Sequence, residues 1–505
     1  MASSLTKDEH RSTDTRTGPR AEKTFMGHPR GLVNLFMTEM WERYSFYGMR
    51  ALLVLYLVAP ASHGGLAMNA AMATAVYSLY NAMVYLLALP GGWFADRAWG
   101  ARKTVAIGGT VIMIGHFLLA VPAKVSFFVG LVCIAVGSGL LKANISTMVG
   151  HLYRDKNDPR RDGGFTIFYM GINLGAFIAP LTIGTVGQSV SWHLGFAMAG
   201  VGMAFGLAFF ALGGRHMSEL SDVVPTPLSR AERNAVIRKS LLWLGVAVVA
   251  YGSIGLSGHF TLSWAMLPLT VLCIVLPSWY LLRMKRDKEL DKVSRARMSA
   301  YVWFFVAAAL FWGIYDQTGS TLNLFAQNST SRTLFGFGFP ASWFQAFNPL
   351  YIMALAPVFA WAWVALSRRA KEPGTPAKFA IGLILIGVSF AVMMVAQGIA
   401  VDGVKVSPMW LAVVYLIQTV GELTLSPVGL SLTTKLAPPK YSSQMMGVWF
   451  LAVTVGDSVV ALLQQLGVST DDQSWFASQG ALALLGGIAI FVYRSKVKTL
   501  MSGVR

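Results

Sequence analysis

One stretch of the sequence sets six chemically capable side chains at helical spacing: Glu39, Glu42, Arg43, Phe46, Tyr47 and Arg50. At 100° per residue they fall within an arc of about 140°. One helix face thus carries two acids, two bases and two aromatic rings. A carboxylate beside a cation can take up and release a proton, and a guanidinium can grip a second carboxylate by two parallel hydrogen bonds. Two readings are open. The face is a fixed ion-pair cluster joining two helices, or it lines a wet cavity that handles protons and a charged ligand. The second is preferred, because small apolar residues would suffice for packing alone.

Two further segments carry a polar stripe. Trp312, Asp316, Gly319 and Asn323 recur at intervals of four, three and four; Gln418, Glu422, Ser426 and Gly429 recur similarly, with Pro427 removing a backbone donor. Helix–helix glue is the plain alternative for each stripe. Lys142 and Asp457 are also ionisable residues within apolar runs, which makes eight: five acids and three bases. An ionised group at the centre of a bilayer costs ~2.5–3.5 kcal/mol. Such residues therefore mark pathways or proton relays, and one or two of the carboxylates are expected to bind protons reversibly. Asp457 has no assignable role. His116, alone on an apolar helix, reads as structural. Cys133 and Cys273 lie in apolar runs and read as packing residues. There is no HExxH, no GxSxG and no Cys/His cluster, so neither an enzyme nor a metal site is expected.

The elements that position these groups follow from composition. In 505 residues, 55% are apolar and only 13% are charged, against roughly 25% in soluble domains. That excludes a water-soluble enzyme and indicates an all-α polytopic membrane protein. Fourteen segments are long and apolar enough to span: 31–58, 70–94, 103–121, 125–148, 163–187, 192–213, 240–256, 262–282, 298–326, 342–366, 378–397, 407–434, 441–465 and 475–493. Thirty-five of the 41 Lys and Arg residues fall in the tails and loops of one side, and three fall on the other. The positive-inside rule then places both termini in the cytoplasm and accounts for the net charge of +18 without nucleic-acid binding. The first thirty residues are polar and basic, unlike a cleavable signal peptide. Segments seven and eight carry no acidic or basic residue before Arg283 and are flanked by charged stretches. The chain accordingly reads as a cytoplasmic tail (1–30), a six-helix bundle (31–213), linkers with an inserted helical hairpin (214–297), a second six-helix bundle (298–493) and a short cytoplasmic tail (494–505). The basic stretch 283–297 is read as a solvated linker. Two facing bundles with a site at the midplane is the general plan of secondary transporters.

The motifs resemble a known family. Gly92-x-x-x-Asp96-Arg97-x-x-Gly100-x-Arg102-Lys103 resembles the loop signature of the major facilitator superfamily, where it implies a conformational latch. Glu39-Met-Trp-Glu42-Arg43-Tyr44-Ser-Phe46-Tyr47-Gly48 resembles the ExxERFxxYG motif of proton-dependent oligopeptide transporters, the POT or PTR peptide transporter family. Gly-Leu-Leu-Lys142-Ala-Asn144-Ile-Ser, Phe168-Tyr169-Met-Gly-Ile-Asn173-Leu-Gly175, Phe311-Trp312-Gly-Ile-Tyr-Asp316-Gln317 and Gly421-Glu422-Leu-Thr-Leu-Ser426-Pro427 resemble that family's further signatures, in order. Its bacterial members also carry a two-helix insertion.

The resemblance implies a major facilitator fold and, by alternating access, import of di- and tripeptides driven by an inward proton gradient. It implies a monomer in the bacterial inner membrane that needs no cofactor. It further implies that Arg43, Tyr47 and Lys142 hold the peptide carboxylate, while Asn173, Asn348 and Glu422 hold its ammonium, with Ser426 nearby. Phe46, Tyr85, Trp312, Trp449 and Phe450 would line side-chain pockets. Glu39 and Glu42 would take part in proton coupling, and Asp316 would pair with Arg50 or Lys142 as an outer gate. Three departures stand out: Phe46 replaces a common Tyr, Ala143 replaces a common Pro, and Ser78 stands where animal members carry a histidine. Proton coupling here should therefore not depend on that histidine. Two other readings remain: a same-fold transporter of another anion or small metabolite, and a peptide sensor that does not transport. The full set of charges in the first helix favours peptide transport.

Overall fold

Apolar runs of about 20 residues have one solution in hydrocarbon, which is to close every backbone hydrogen bond within the run. The computed structural model describes residues 24–153, 155, 158–334, 336–470 and 472–504. The tail up to residue 23, and with it part of the basic charge used for orientation, lies outside the described residues. The first half holds α1 (Gly31–Val58), α2 (Ala70–Leu86), α3 (Ala88–Phe94), α4 (Gly100–Ala120), α5 (Lys124–His151), α6 (Arg160–Ser189) and α7 (Trp192–Leu212). A hairpin of α8 (Arg230–Leu256) and α9 (Leu262–Lys285) follows. The second half holds α10 (Lys292–Tyr315), α11 (Thr321–Asn328), α12 (Phe347–Arg368), α13 (Thr375–Ile399), α14 (Met409–Leu436), α15 (Ser442–Gln465) and α16 (Gln473–Val492), then a short α17 (Arg494–Leu500).

Twelve of the described stretches are long and apolar enough to cross a membrane. One of them, 70–120, counts twice, because the chain turns at Gly100 with φ +75°. Helix α1 makes the fourteenth crossing; its buried Glu39, Glu42, Arg43 and Arg50 are what lower its apolar character. The major facilitator plan of two bundles is seen directly in the packing: α1 on α6 and α7 and α4 on α5 in one half, α13 on α14 and α16 and α10 on α15 in the other. The halves meet where α2 packs on α15 and α6 on α12.

In lipid there is little hydrophobic drive between helices, so close backbone approach matters more. Gly108 and Gly137 lie face to face between α4 and α5, and Gly313 and Gly456 between α10 and α15. A Cβ on Gly456 would sit 2.1 Å from the carbonyl oxygen of Ala309, which is backbone and cannot step aside. Gly456→Val is therefore expected to destabilise the protein by ~1–3 kcal/mol through overpacking. Gly245 on α8 has nothing within 4 Å. Thermal unfolding of Gly456→Val and Gly245→Ala in the same detergent checks this, with only the first losing stability.

Three expectations from the sequence are corrected. Segment 298–326 is not one helix. It tightens to a 3-10 turn at Asp316–Gly319 and resumes at Thr321, because Gly319 lies directly beneath the side chains of Tyr77 and Arg50. Such a break is tolerated at membrane depth because the backbone there is buried in protein. The stretch 214–239 is helical from Arg230, where Ser229 and Glu232 form a reciprocal capping box ahead of the apolar run. The stretch 283–297 is not a free linker. Helix α9 runs to Lys285, and α10 starts at Lys292, capped by Asp291 Oδ1 accepting from Ser294 N at 2.9 Å.

The inserted hairpin is not a bystander. Helix α8 buries no residue and leaves Trp243 and Val249 more than two-thirds exposed. Helix α9 straddles the seam between the halves. Its Cys273 Sγ lies 3.4 Å from Met83 Sδ on α2, its Thr270 Oγ1 accepts from Gln465 Nε2 at 2.8 Å, and its Tyr280 hydroxyl donates to Gln444 Oε1 at 2.5 Å. The loop after α9 is stapled to the turn before α15. Lys440 Nζ donates to Asp287 Oδ2 at 2.7 Å and to Glu289 Oε2 at 2.6 Å, and the Tyr441 hydroxyl donates to Asp287 Oδ2 at 2.5 Å. These bonds hold the Asp287 carboxyl well below the usual carboxylate range. A depressed carboxylate contributes fully above its unfolded value, about 4, and loses its contribution only as the pH falls below that through the depressed value. Asp287→Asn is thus expected to lower thermal stability by the same amount across neutral and mildly acidic buffers. A pH-dependent difference in that range would contradict it.

Candidate functional site

Helix α1 places its charged face against the centre of the molecule. Glu39, Glu42 and Arg43 are all buried. Gly175 on α6 lets α1 approach closely, since a Cβ there would lie 2.2 Å from the carbonyl oxygen of Met40. Arg43 Nε lies 3.1 Å from Glu39 Oε1 and also contacts Glu42 Oε2. Neither contact is an aligned hydrogen bond, and Arg43 Nη2 has no described partner. The charges are compensated while a donor remains free. The guanidinium carbon stands 5.3 Å from the centre of the Phe46 ring.

Lys142 on α5 has no carboxylate at ion-pair distance among the described residues. Its ammonium instead sits 3.6 Å from the ring centre of Tyr85 on α2 and 6.0 Å from that of Phe450 on α15. The two rings stack on each other at 6.3 Å. A cation over ring faces is held by the quadrupole without being neutralised.

Further along α1, Arg50 joins the other half. Its Nη2 donates to Asp316 Oδ1 at 3.1 Å and to Thr318 Oγ1 at 3.0 Å, and its guanidinium lies 5.7 Å from the ring centres of Tyr47 and Tyr77. Asn81 Nδ2 donates to Asp316 Oδ2 at 3.1 Å and to Asp457 Oδ2 at 2.7 Å. Across from α1, Glu422 Oε2 on α14 accepts from the Tyr315 hydroxyl at 2.7 Å and from Asn348 Nδ2 at 3.0 Å. Asn348 also donates to Thr419 Oγ1 at 3.0 Å. Tyr47 lies within electrostatic range of Arg43 and Arg50 on one side and of Glu422 and Asp316 on the other.

Other residues singled out from the sequence are placed differently. Asn173 Nδ2 donates to the Tyr169 carbonyl of its own helix at 3.0 Å and touches none of the acids. Ser426, one turn beyond Glu422, has no described hydrogen bond. Trp312 packs edge-on against Tyr315 at 5.2 Å. Trp449 is buried inside the second half against Phe379 and Gly429, and its ring is not available to line an open pocket. The loop signature does not close on itself. Arg97 pairs with Glu232 at 2.9 Å and Arg102 with Asp222 at 3.1 Å, while Asp96 offers its carbonyl to Thr226 N at 3.0 Å. Arg97, Arg102 and Asp96 thus hold the linker into the hairpin. The Ser78 hydroxyl donates to Gln464 Oε1 at 3.4 Å across the seam.

Tyr315, Asn81, Thr318 and Tyr77 were not anticipated. Tyr315 stands next to Asp316 in the motif already quoted, and Asn81 lies one helical turn before Tyr85. Neither signal says which side chain crosses to the other half.

All described hydrogen bonds between the halves lie toward one end. Besides those at Asp316 they include Gln188 Nε2 to Gln327 Oε1 at 3.2 Å, Trp343 Nε1 to Thr185 Oγ1 at 2.8 Å and Asn323 Nδ2 to the Ala51 carbonyl at 2.9 Å. This is the end that holds the C-terminus of α1. A cavity of about 690 Å³ opens there, lined by residues such as Gln188, Trp192, Arg332 and Phe339. It is a vestibule outside the closure and holds none of the buried charges.

Comparison with known proteins agrees with this architecture. The family model described as the POT family matches residues 102–478. An uncharacterized transporter, YclF, of Bacillus subtilis is 42% identical over 96% of this chain and 97% of its own. A di-/tripeptide transporter of Lactococcus lactis subsp. cremoris is 40% identical over 96% of this chain and 99% of its own. The crystal structure of a mutant of a peptide transporter POT in complex with alafosfalin superposes with a TM-score of 0.89 at 42% identity, covering 95% of this chain and 98% of that one. These relatives are transporters, not enzymes. With the family model spanning most of its length and full-length relatives at this identity, the chain belongs to the POT family of membrane transporters.

Proposed function

We propose that this protein is a proton-coupled symporter importing di- and tripeptides across the bacterial inner membrane by alternating access, working as a monomer with both termini in the cytoplasm. The observation that carries the reading is the placement of opposite charges on the two halves around Tyr47. Arg43, with its free Nη2, and the unpaired Lys142 ammonium form a basic wall. Glu422, oriented by Tyr315 and Asn348, forms an acidic wall. A zwitterionic peptide has fixed charges at a limited spacing, and such a cleft measures that spacing while tolerating varied side chains. The relative named as a di-/tripeptide transporter and the neighbour bound to alafosfalin support the substrate class.

Coupling follows from the same geometry. Arg43 is shared between Glu39, Glu42 and an incoming carboxylate. A proton on one of the glutamates releases the guanidinium for the peptide. Arg50 and Asp316 close the outer end, and a proton on Asp316 weakens that closure. With Lys- and Arg-rich loops inside, the end closed by Arg50 and Asp316 faces out. Asp96, Arg97 and Arg102 act at the inner end by tying the hairpin linker to the first half. The bilayer supplies the solvent for the uncovered faces of α8.

The test is dialanine accumulation in proteoliposomes with the outside acidified relative to the lumen. Accumulation that collapses with a protonophore supports the reading. No accumulation by folded, oriented protein sinks the peptide assignment and moves the substrate to another small anion or metabolite; binding without any flux would instead mark a sensor.

A further inference from the structure

Asp457 takes no part in the peptide clamp and makes no ion pair, yet it lies on α15 with only 2% of its surface exposed. Its Oδ2 accepts one N–H of the Asn81 amide at 2.7 Å, and the other N–H of that amide goes to Asp316 Oδ2 at 3.1 Å. Two carboxyl groups, both belonging to the second half, are thus joined through one amide of the first half. The charged and titratable groups facing Asp457 are Asp316 after α10, Arg50 on α1, Tyr77 and Tyr85 on α2, Lys142 on α5 and Cys273 on α9. Arg50 is committed to Asp316, and Lys142 to the ring of Tyr85. No described cation comes within ion-pair distance of Asp457.

A buried carboxylate is tolerated when a cation or several donors satisfy it. Asp457 has one described donor. Two ionised acids beside a single guanidinium would leave the cluster with an uncompensated negative charge. A proton on Asp457 makes it neutral and leaves Oδ2 free to accept from Asn81. When this end opens, Asn81 and Arg50 depart with the first half, while Asp316 and Asp457 stay together on the second and meet water. We infer that Asp457 is a second proton-binding carboxyl of the outer gate, occupied while the gate is closed and exchanging with the outside solution when it opens. This rests on the proposed proton-coupled transport and adds to it a site that the motifs do not contain.

The experiment uses the full chain in liposomes with radiolabelled dialanine and a pH dye in the lumen. Asp457→Asn keeps an acceptor for Asn81 and removes the proton site. The expected result is dialanine counterflow at the wild-type level, an unchanged number of protons carried per peptide, because this proton is taken from and returned to the outside, and a shallower dependence of uptake on external pH. A wild-type external pH profile in this variant, or a loss of one carried proton per peptide, would overturn the inference. Should Asp457→Asn not fold, Asn81→Ala takes away the shared donor and leaves both acids. It is expected to keep the proton count while moving the pH midpoint of uptake, and an unmoved midpoint would equally overturn it. The two levels separate in the wild type. Wild-type protein that shows no proton-driven uptake fails the transport reading itself, whereas intact wild-type coupling with an unchanged Asp457→Asn fails this inference alone.

Discussion

Arg43→Ala is expected to abolish dialanine counterflow and to lower the stability of the purified protein. The residue is 4% exposed and faces Glu39 at 3% and Glu42 at 0% exposure. Removing it strands two carboxylates in a low-dielectric interior. Breaking one partner out of a buried pair costs ~3–5 kcal/mol, equivalent to about 10²–10³-fold or more in an equilibrium constant. The stranded acids escape part of this by taking up protons, so the stability loss should shrink in acid. The loss of transport should not, because the unpartnered Arg43 Nη2 goes with the side chain whatever the pH. Two further variants separate the effects. Adding Glu39→Gln and Glu42→Gln to Arg43→Ala removes the stranded charges and is expected to restore thermal stability without restoring transport. Arg43→Lys keeps the charge but not the planar two-pronged donor set, and is expected to fold while binding peptide more weakly. Thermal unfolding and counterflow on the same preparations read the two outcomes separately. Wild-type counterflow in Arg43→Ala would remove Arg43 from the peptide site.

Opening of the end closed by Arg50 and Asp316 is the second large effect expected. Arg50 Nη2 serves Asp316 Oδ1 at 3.1 Å, Thr318 Oγ1 at 3.0 Å and the Asp316 carbonyl at 3.4 Å, all away from water. Arg50→Ala leaves Asp316 with Asn81 but no cation, and Asp316→Ala leaves a buried guanidinium. Either is expected to disfavour closure by ~3–5 kcal/mol, enough to move a closed-to-open ratio by about 10²–10³-fold or more. Spin labels on Ala59→Cys and Phe339→Cys, in a background with Cys133 and Cys273 replaced, span the vestibule and report its width. Each single variant is expected to shift the distance distribution outward. The combination Arg50→Met with Asp316→Leu replaces the charges by apolar groups of similar size. It is expected to close the end again while losing proton-driven accumulation, because a charge pair can be exchanged for packing but not for a proton site. Distance distributions that stay narrow in both single variants would show that the remaining seam bonds, such as Gln188 to Gln327, hold the end shut without the ion pair.

The two effects differ in what they test. The contacts of Arg43 lie within one half, so its variants test affinity, whereas those of Arg50 cross to the other half, so its variants test a population. Asp457 belongs with the second class, since its one described partner lies on the opposite half.

Much of this was legible from the chain alone. Apolar run length fixes helices in hydrocarbon because no other structure satisfies the backbone there, so the fourteen crossings follow from composition. Ionisable residues inside such runs are costly enough to single out Glu39, Glu42, Arg43, Arg50, Lys142, Asp316, Glu422 and Asp457 before any geometry is known. Helical periodicity places the first four on one face. What one dimension cannot supply is the partner on another helix. That Asn81 serves two acids, that Tyr315 orients Glu422, that Trp449 turns into its own half and that α9 bridges the seam all depend on how helices far apart in sequence are rotated against each other. The break after Tyr315 belongs to the same class, since it answers to Tyr77 and Arg50 lying over Gly319. Periodicity gives each helix a face, but the crossing angles and close glycine contacts that decide which faces meet are set by packing over the whole bundle. The inventory of charges was therefore determined by the sequence, and their pairing only by the tertiary structure.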